Sequence, residues 1–356
     1  MTDNRAGSPD TTPDGRYIAF ESDGTNLAAG DTNESADIFL RDCTGSATER
    51  VSLDSAGAEI GSSTYDPSVS SDGRCVAFWS VDGNIVEADT NGVADIFVRD
   101  RTGGAITTGV SVTNASGEGD NSSYLPSISA TGRYVAFISG ASNLTDTDAA
   151  GNQEVYFRDT TGNTTVTVST SSAGAAGNKD VDASRIGVSD DGNMIAFASN
   201  ASNLVTGDTN NVADIFVKVL STSAIAKVSV TSLGGQSNKP SRFPSISSDG
   251  RYVAFESEAS NLVAGDTNRV RDVFIHDRST GQTTRVSVGP SAAQSNGASS
   301  NPRVSADGRY VVYESLADNL VAGFLARSLG DTAPFVFVYD RVTGTNTLAS
   351  LAPMER

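Results

Sequence analysis

One short pattern recurs six times along the 356-residue chain, and this repeat constrains the fold more than any other feature. A turn residue and glycine are followed by a polar residue and an apolar run that ends in an aromatic side chain. The first copy is residues 14–20, and its matches begin at Asp72, Thr131, Asp191, Asp249 and Asp307. Neighbouring copies lie 58 to 60 residues apart. A fixed period of this length is typical of folds built from stacked copies of one supersecondary unit.

Each copy contains enough strand-forming sequence for a small sheet. Runs of β-branched and aromatic residues, separated by turn residues, predict four strands in the fifth copy, called A to D in chain order. The Asp249-Gly250 pair predicts a tight turn between strands A and B, because glycine adopts a positive φ without steric cost. A long polar loop joins B to C. The four predicted strands are residues 244–247, 251–257, 272–277 and 283–288.

Strand B carries apolar side chains on both faces of its sheet. In the fifth copy Val253 and Phe255 point to one face, and Tyr252 and Ala254 point to the other. One four-stranded sheet cannot bury both faces, whereas six sheets packed in a ring can. The sequence therefore predicts an all-β fold, a six-bladed β-propeller with four antiparallel strands per blade and one domain over residues 1–356. An open solenoid is the structural alternative.

Every copy starts with strand A and ends with strand D, so we expect the ring to close by packing blade one against blade six. In this scheme neither chain end completes the sheet of the other, and residues 348–351 finish the last strand D. Cys43 and Cys75 are then on the same face of adjacent blades, which is compatible with a disulfide between them. Two cysteines are too few for a disulfide framework.

The chain is strongly acidic, with a formal net charge of −18 and a pI of about 4.3. Its surface should repel phosphate backbones and anionic lipid headgroups, so we expect neither nucleic acid nor membrane insertion. No run of about 18 apolar residues is present, and residues 1–13 are polar, so we expect neither a spanning helix nor a signal peptide. Few lysines and Ser/Thr/Asn-rich loops favour a secreted or periplasmic protein.

The repeated pattern Ser-x-Asp-Gly-Arg-Tyr-Val-Ala-Phe, followed by Gly-Asp-Thr-Asn-x-x-x-Asp-Ile-Phe-Val-Arg-Asp, resembles the TolB-type, WD40-like β-propeller repeat over nearly the whole chain. The resemblance implies a six-bladed propeller that is a protein-docking platform in periplasmic members, and it brings no catalytic residues with it. Two copies depart from the pattern. The sixth replaces Gly-Asp-Thr-Asn by residues 323–326 and carries an insertion up to Phe335, and the fourth has Ile186 where the others have the strand A proline.

The clearest recurring chemistry is an Asp-x-Asn-x-x-x-Asp pattern in the B-to-C loops of four copies. Side-chain oxygens at loop positions 1, 3 and 7 suit a hard cation such as Ca²⁺, and the spacing is similar to the calcium loops of integrin-type propellers. The alternative is that these side chains hydrogen-bond to their own backbone and only shape the loop. The third copy has Ala150 in place of the asparagine. The candidate calcium ligands are Asp31, Asn33, Asp37, Glu87, Asp89, Asn91, Asp95, Asp208, Asn210, Asp214, Asp266, Asn268 and Asp272.

Enzymatic chemistry has little support in the sequence. The single histidine, His276, lies near the end of a predicted strand C and is interpreted as structural. Carboxylate pairs could carry glycoside chemistry, but the aspartates belong to repeated turns and loops, whereas an active site should be asymmetric. We therefore expect a monomeric, non-enzymatic binding or scaffold propeller that docks a protein or glycan ligand on the face of the B-to-C and D-to-A loops.

The alternative function is a carbohydrate-binding lectin or a polysaccharide-acting enzyme at the channel mouth. Aromatic side chains would provide sugar platforms there, although core packing is the favoured interpretation for each of them. The candidates are Tyr65, Trp79, Tyr124 and Phe243.

Overall fold

The protein is described by a computed structural model that covers residues 6–87, 89–102, 104–147, 151–323 and 333–350. Within these ranges, 24 strands form six separate four-stranded sheets, each built from one continuous stretch of chain. All strand pairs are antiparallel, and the spatial order in every sheet follows the chain order A-B-C-D. The predicted all-β, six-bladed β-propeller is confirmed.

The strands of the first three blades have nearly identical lengths. Blade one contains β1 (Ala6–Thr11), β2 (Tyr17–Ser22), β3 (Asp37–Asp42) and β4 (Ala47–Arg50). Blade two contains β5 (Thr64–Val69), β6 (Cys75–Ser80), β7 (Asp95–Asp100) and β8 (Ile106–Gly109). Blade three contains β9 (Ser123–Ile128), β10 (Tyr134–Ser139), β11 (Glu154–Asp159) and β12 (Thr164–Thr167).

The last three blades repeat this plan with one shortened strand. Blade four contains β13 (Gly187–Val188), β14 (Met194–Ser199), β15 (Asp214–Val219) and β16 (Ala224–Lys227). Blade five contains β17 (Ser241–Ile246), β18 (Tyr252–Ser257), β19 (Asp272–Asp277) and β20 (Gln282–Arg285). Blade six contains β21 (Ser299–Val304), β22 (Tyr310–Ser315), β23 (Phe335–Asp340) and β24 (Thr345–Leu348).

The Asp-Gly pairs form the A-to-B turns, as predicted. In blade five Gly250 has a φ of 70°, and the Asp249 carboxylate accepts a hydrogen bond from the Arg251 backbone N–H at 2.9 Å. The Arg251 guanidinium reaches Asp277 at the end of strand C, with Nη2 and Oδ2 2.7 Å apart. The repeated Asp-Gly-Arg therefore shapes the turn and fastens it to the neighbouring strand.

Five of the six inner strands contain a β-bulge just before a proline. The bulged residue has a positive φ of 46° to 54°, and the pairing with strand B shifts register at this point. Blade four has no proline here; its inner strand is reduced to Gly187–Val188, and Arg185 stands at the equivalent position. The five bulged residues are Ser8, Asp66, Leu125, Phe243 and Asn301.

Neighbouring blades pack through apolar side chains of strands B and C. Five clusters of buried apolar residues fill the interfaces between blades one and two, two and three, three and four, four and five, and five and six. The turn glycine of each following blade also lies against the first residue of the preceding strand B. A Cβ added at Gly308 would be 2.0 Å from Cδ2 of Tyr252, and one added at Gly73 would be 2.2 Å from Cδ2 of Tyr17.

The seam between blades six and one is packed differently. A Cβ added at Gly15 would meet nothing within 4 Å, and Val312 of strand B is 38% exposed where Ala254 of blade five is fully buried. An ion pair joins Arg303 of blade six to Asp10 of blade one, with Nη1 and Oδ1 3.7 Å apart. The described sheets confirm that the ring closes without strand exchange, because Ala6–Thr11 is the innermost strand of blade one.

Cys43 and Cys75 do not form a disulfide with each other. Both cysteines are free: Cys43 is exposed, while Cys75 is buried beneath the turn of blade three, where a Cβ at Gly132 would lie 2.6 Å from its Sγ.

The helical element of the described chain is a three-residue 3₁₀ turn, Pro290–Ala292. No helix in these ranges has the length and apolarity needed to cross a bilayer.

Candidate functional site

The four Asp-x-Asn-x-x-x-Asp loops share one hydrogen-bond arrangement around the asparagine. In blade one, the Asn33 Oδ1 atom accepts from the Ser35 backbone N–H at 2.9 Å, and the Asn33 amide donates to the Ile60 carbonyl at 2.7 Å and to Asp37 at 3.1 Å. These backbone partners distinguish the oxygen of the side-chain amide from its nitrogen, because the oxygen faces an N–H donor and the nitrogen faces a carbonyl acceptor. The asparagine therefore shapes the loop and points N–H groups, not its oxygen, at the aspartate; Asn91, Asn210 and Asn268 are placed in the same way.

The last aspartate of each pattern is the first residue of strand C and is buried. Asp37 is fully buried, and its Oδ1 atom accepts from the Ser52 hydroxyl at 2.5 Å. Burial raises the pKa of Asp37, while the Ser52 hydroxyl and the Arg50 guanidinium oppose this rise. The equivalent residues Asp95, Asp214 and Asp272 accept from serines at corresponding positions.

A basic side chain from the end of strand D lies among the carboxylates of three loops. In blade one, the Arg50 Nη1 atom is 3.4 Å from Asp31 Oδ1, 3.4 Å from Asp37 Oδ2 and 2.5 Å from Glu59 Oε1. Oxygen atoms of these three acids all lie within 4.8 Å of one another. The positive charge that such a cluster needs is therefore supplied by the chain itself.

Blades four and five repeat this ion-pair cluster, with the amide oxygen of Gln236 or Gln294 from the D-to-A loop in place of the Glu59 carboxylate. The Lys227 Nζ atom is 3.0 Å from Asp208 Oδ1, 3.2 Å from Asp214 Oδ2 and 2.8 Å from Gln236 Oε1. In blade five, the Arg285 Nη1 atom is 3.1 Å from Asp266 Oδ1 and 3.4 Å from Asp272 Oδ2.

Blade two keeps the acids but has Gly109 at the position of the basic residue. A cavity of about 210 Å³ lies beside this glycine and is lined by Asp89, Asp95 and Glu118. The Oδ1 atom of Asp89 is buried and has no hydrogen-bond partner in the structure. Burial, with repulsion from Asp95 and Glu118, raises the pKa of Asp89 to about 6. Glu87 is exposed and does not line this cavity.

Blade three has a threonine at the strand D position that is basic in three blades and glycine in blade two. Thr167 ends strand D there, and its hydroxyl lies 2.6 Å from the Thr145 hydroxyl and 3.1 Å from that of Thr147. Glu154 replaces the strand C aspartate and is buried. Asp148, which belongs to the imperfect pattern of this copy, lies outside the described residues.

Sequence reasoning found the acids of these loops but missed their basic partners. Arg50, Lys227 and Arg285 each pair in the sheet with a strand C phenylalanine, as Gly109 does. A comparison of the six copies at the last residue of strand D would have shown a basic residue in three of them. The turns and strand B define the repeat in the sequence, and neither of them includes this position.

The central channel forms the second candidate site. A cavity of about 510 Å³ opens at its mouth on the face of the B-to-C and D-to-A loops, and another of about 380 Å³ lies toward the opposite face. Arg185 and Arg303 line both cavities. Asp66 and Glu314 line the mouth, but they accept hydrogen bonds from Trp79 and Asn301 respectively.

Arg185 is a charged group that lines both cavities of the channel. Its Nη1 atom donates to the Pro302 carbonyl at 3.2 Å. Among the described residues, no carboxylate oxygen lies within 4.0 Å of its guanidinium. Burial and the neighbouring charge of Arg303 lower the pKa of Arg185, while Asp10, Glu256 and Asp66 act in the opposite direction at longer range.

Three of the four predicted aromatic candidates form a cluster beside the channel mouth. The Tyr65 and Trp79 rings stack with centroids 4.5 Å apart, and Tyr124 meets Trp79 edge-on at 5.2 Å. The Trp79 indole N–H donates to Asp66 at 2.9 Å. All three rings are half-buried, and the fourth candidate, Phe243, lines the mouth itself.

His276 has the structural surroundings that its position in strand C predicts. It is 6% exposed, and its Nδ1 atom is 2.9 Å from the Thr283 hydroxyl. Burial lowers its pKa. The described structure thus places this imidazole between strands C and D of blade five.

The comparisons with known proteins concern the fold. No protein-family model and no curated protein matches the chain. Solved structures with similar architecture include the β-propeller domain of the trilobed protease from Pyrococcus furiosus, described as having an open velcro topology, with a TM-score of 0.57, 12% identity and coverage of 99% of this chain and 85% of that domain. Oligogalacturonate lyase from Vibrio parahaemolyticus has a TM-score of 0.56, 12% identity and coverage of 100% and 81%.

TolB from Acinetobacter baumannii is also similar, with a TM-score of 0.49 and 15% identity; the alignment covers 99% of this chain and spans 65% of the TolB chain. Structural similarity at such low sequence identity shows the architecture alone, because one fold serves many functions. The six four-stranded sheets, together with the likeness to the protease propeller domain, show that the chain has a six-bladed β-propeller architecture.

Proposed function

We propose that the protein is a non-enzymatic binding propeller whose ligand enters the channel mouth on the face of the B-to-C and D-to-A loops. The observation that carries this proposal is the pair Arg185 and Arg303, which line the channel of a protein with a net charge of −18. The ligand group that complements them is a carboxylate, because a guanidinium binds carboxylates through paired N–H donors.

Several features support a carboxylate as the ligand group. Arg185 uses one N–H on a carbonyl oxygen and has no close acidic partner among the described residues, so donors remain for a ligand. Arg303 is 3.7 Å from Asp10, a long ion pair that a better-placed carboxylate could replace. The cavity of about 510 Å³ is large enough for an acidic side chain or chain terminus of a protein partner.

The test is isothermal titration with a tetra-glutamate peptide against its tetra-glutamine counterpart. We expect the acidic peptide to bind more tightly, and we expect Arg185→Gln and Arg303→Gln each to weaken its binding at least tenfold. Arg133→Gln is the matched control, because Arg133 is exposed and pairs with Asp159 in a turn of blade three. Equal binding of the two peptides, or equal affinities in all three variants, would refute the proposal.

A carbohydrate ligand is the second candidate, and the half-buried cluster of Tyr65, Trp79 and Tyr124 favours it. Aromatic faces beside a binding cavity are suited to sugar rings, and an acidic sugar would also use Arg185. Titration with oligogalacturonate and with an uncharged glucan of equal length distinguishes this function. A glycan ligand should bind more weakly after Trp79→Ala, whereas the acidic peptide should be affected mainly by Arg185→Gln.

Calcium binding at the four loops stays a prediction. In blades one, four and five the ion would have to displace Arg50, Lys227 or Arg285 from the acids. For a Kd on the order of 0.1 mM, 1 mM calcium would add roughly 1.4 kcal/mol per occupied site. Thermal melts in 1 mM calcium and in excess chelator test this, with Asp208→Ala and Asp266→Ala as site controls; superimposable wild-type curves would contradict it.

The setting in which this binding would occur is part of the same proposal. An acidic surface, few lysines and Ser/Thr/Asn-rich loops support a secreted or periplasmic monomer. Fractionation of the producing cells and light scattering of the purified protein measure these two properties.

A further inference from the structure

We propose that the cavity beside Gly109 in blade two is a binding site for an organic cation, the guanidinium or ammonium head group of an arginine or lysine side chain. The cavity is formed by Asp89, Asp95 and Glu118 at the outer strand of the blade. This site is separate from the channel mouth and does not depend on the function proposed for it.

The sister blades show what this arrangement of residues binds. In three of them an equivalent pair of aspartates, with a glutamate or glutamine from the D-to-A loop, holds an Arg or Lys head group from strand D. Blade two has the same two aspartates and Glu118 but no side chain at residue 109. The acids are thus preserved where their internal partner is missing.

Asp89 is the acid of this cavity that retains an unsatisfied oxygen atom. Asp95 accepts from the Ser111 hydroxyl and from Asn91, and Glu118 accepts from the backbone N–H groups of Thr90 and Asn91 and from the Thr90 hydroxyl at 2.8 Å. The buried Oδ1 atom of Asp89 has no partner in the structure. A buried carboxylate oxygen without a donor is costly, so a cation entering the cavity would remove an existing penalty.

Arg158 also lines the cavity, but its hydrogen bonds are directed elsewhere. Its guanidinium donates to the Thr113 carbonyl, the Thr165 hydroxyl and the Asn163 side chain. The described ion pairs include none between Arg158 and the acids of the cavity. It forms part of the wall and donates no hydrogen bond to the Oδ1 atom of Asp89.

The shape of the site favours an organic cation over calcium. Asn91 points its N–H₂ group at Asp95 and uses its oxygen on the Val93 backbone N–H, so it offers no oxygen to a metal. Calcium takes six to eight oxygen ligands. A volume of about 210 Å³ accommodates a head group with part of its stem, as the sister blades already do with their own side chains.

Position 109 is also suited to a direct test, because a Cβ atom there meets no close contact. The φ of Gly109 is not positive, and a Cβ would have its nearest contacts at 3.9 Å, with Val112 and Val86. Gly109→Arg should therefore fold, place its own guanidinium among the acids and close the site. Arg50→Gly should produce a second copy of the cavity in blade one.

The probe is the peptide acetyl-Gly-Arg-Gly-amide, measured by isothermal titration, with methylguanidinium as the free cation and acetyl-Gly-Gln-Gly-amide as the neutral control. We expect one peptide per chain for the wild type, at least tenfold weaker binding for Gly109→Arg, and two peptides per chain for Arg50→Gly. Tighter binding of the peptide than of methylguanidinium would identify a side chain as the source of the cation, and equal binding would identify a free cation.

Glu118→Gln is the second variant, since it keeps the fold of the loop while removing one charge, and it should weaken peptide binding severalfold. Binding that persists unchanged in both Gly109→Arg and Glu118→Gln would overturn the proposal. So would calcium binding with one ion per chain in the absence of any binding of the peptide or of methylguanidinium.

Discussion

The turn glycines at the blade interfaces allow a matched test of how the ring is held together. Gly308 and Gly15 occupy the same position in their repeats and have φ values of 69° and 68°. A Cβ at Gly308 would lie 2.0 Å from Tyr252 Cδ2, whereas one at Gly15 would meet nothing within 4 Å. The two alanine substitutions thus share the backbone strain and differ in the steric overlap.

The expected losses follow from these two contributions. Alanine at a positive φ costs about 1 kcal/mol, and this is the whole effect predicted for Gly15→Ala. Overpacking a filled interface adds about 1–3 kcal/mol. The Tyr252 ring cannot move freely, because the guanidinium groups of Arg251 and Arg341 pack on it, at 4.7 and 3.8 Å from its centroid. Gly308→Ala should therefore lose about 2–4 kcal/mol of unfolding free energy.

Urea unfolding of both variants and the wild type measures the difference. The control is a double-mutant cycle in which Tyr252→Ala removes the ring. In that background Gly308→Ala should cost about as much as Gly15→Ala, since only backbone strain remains. Equal losses for the two single variants, or an unchanged cost of Gly308→Ala without the ring, would show that packing of the ring on the glycine does not stabilise the interface.

Three further outcomes are expected. Arg285→Met should cost about 3–5 kcal/mol in urea unfolding because it leaves two buried aspartates unpaired, whereas Arg251→Met, at an exposed pair, should cost under about 1 kcal/mol; similar losses would contradict this. Asp89→Asn should melt at a higher temperature than the wild type above pH 6 and should show little difference near pH 4, because the pKa of Asp89 is raised and its ionisation opposes folding as the pH increases; a pH-independent difference would count against it. Ellman's reagent should modify Cys43 rapidly and Cys75 slowly in the native protein, since burial raises the pKa of Cys75 to about 11; two equally fast thiols would disprove it.

Much of the local structure could be predicted because it depends on neighbours in the chain. The Asp249-Gly250 turn is an example, since its positive φ and its side-chain hydrogen bond involve residues two positions apart. The apolar faces of strand B also implied a second sheet on each side. The disulfide between Cys43 and Cys75 was not found, because Cys75 faces the turn of blade three and Cys43 lies exposed in a turn of blade one.

The acidic loops show where prediction from the sequence ended. The Asp-x-Asn-x-x-x-Asp spacing identified the acids, and the hydrogen bonds of the asparagines agree with the loop-shaping role that was considered beside calcium. The partner of the acids in blade one is Arg50, which is 13 residues beyond Asp37, on another strand. Antiparallel pairing of strands C and D brings the two together, so loop spacing alone could not show it.

The sequence by itself determined the number of blades, the four strands of each blade, the turns and the side of the ring that carries the long loops, because all of these repeat with a fixed period. Only the tertiary structure decided how the side-chain arrangements of the copies differ. Blade two has a cavity because Gly109 lacks the strand D side chain that fills the equivalent space in three sister blades. Arg185 lines the channel because the six inner strands converge there. Both features depend on distances between residues that are far apart in the chain.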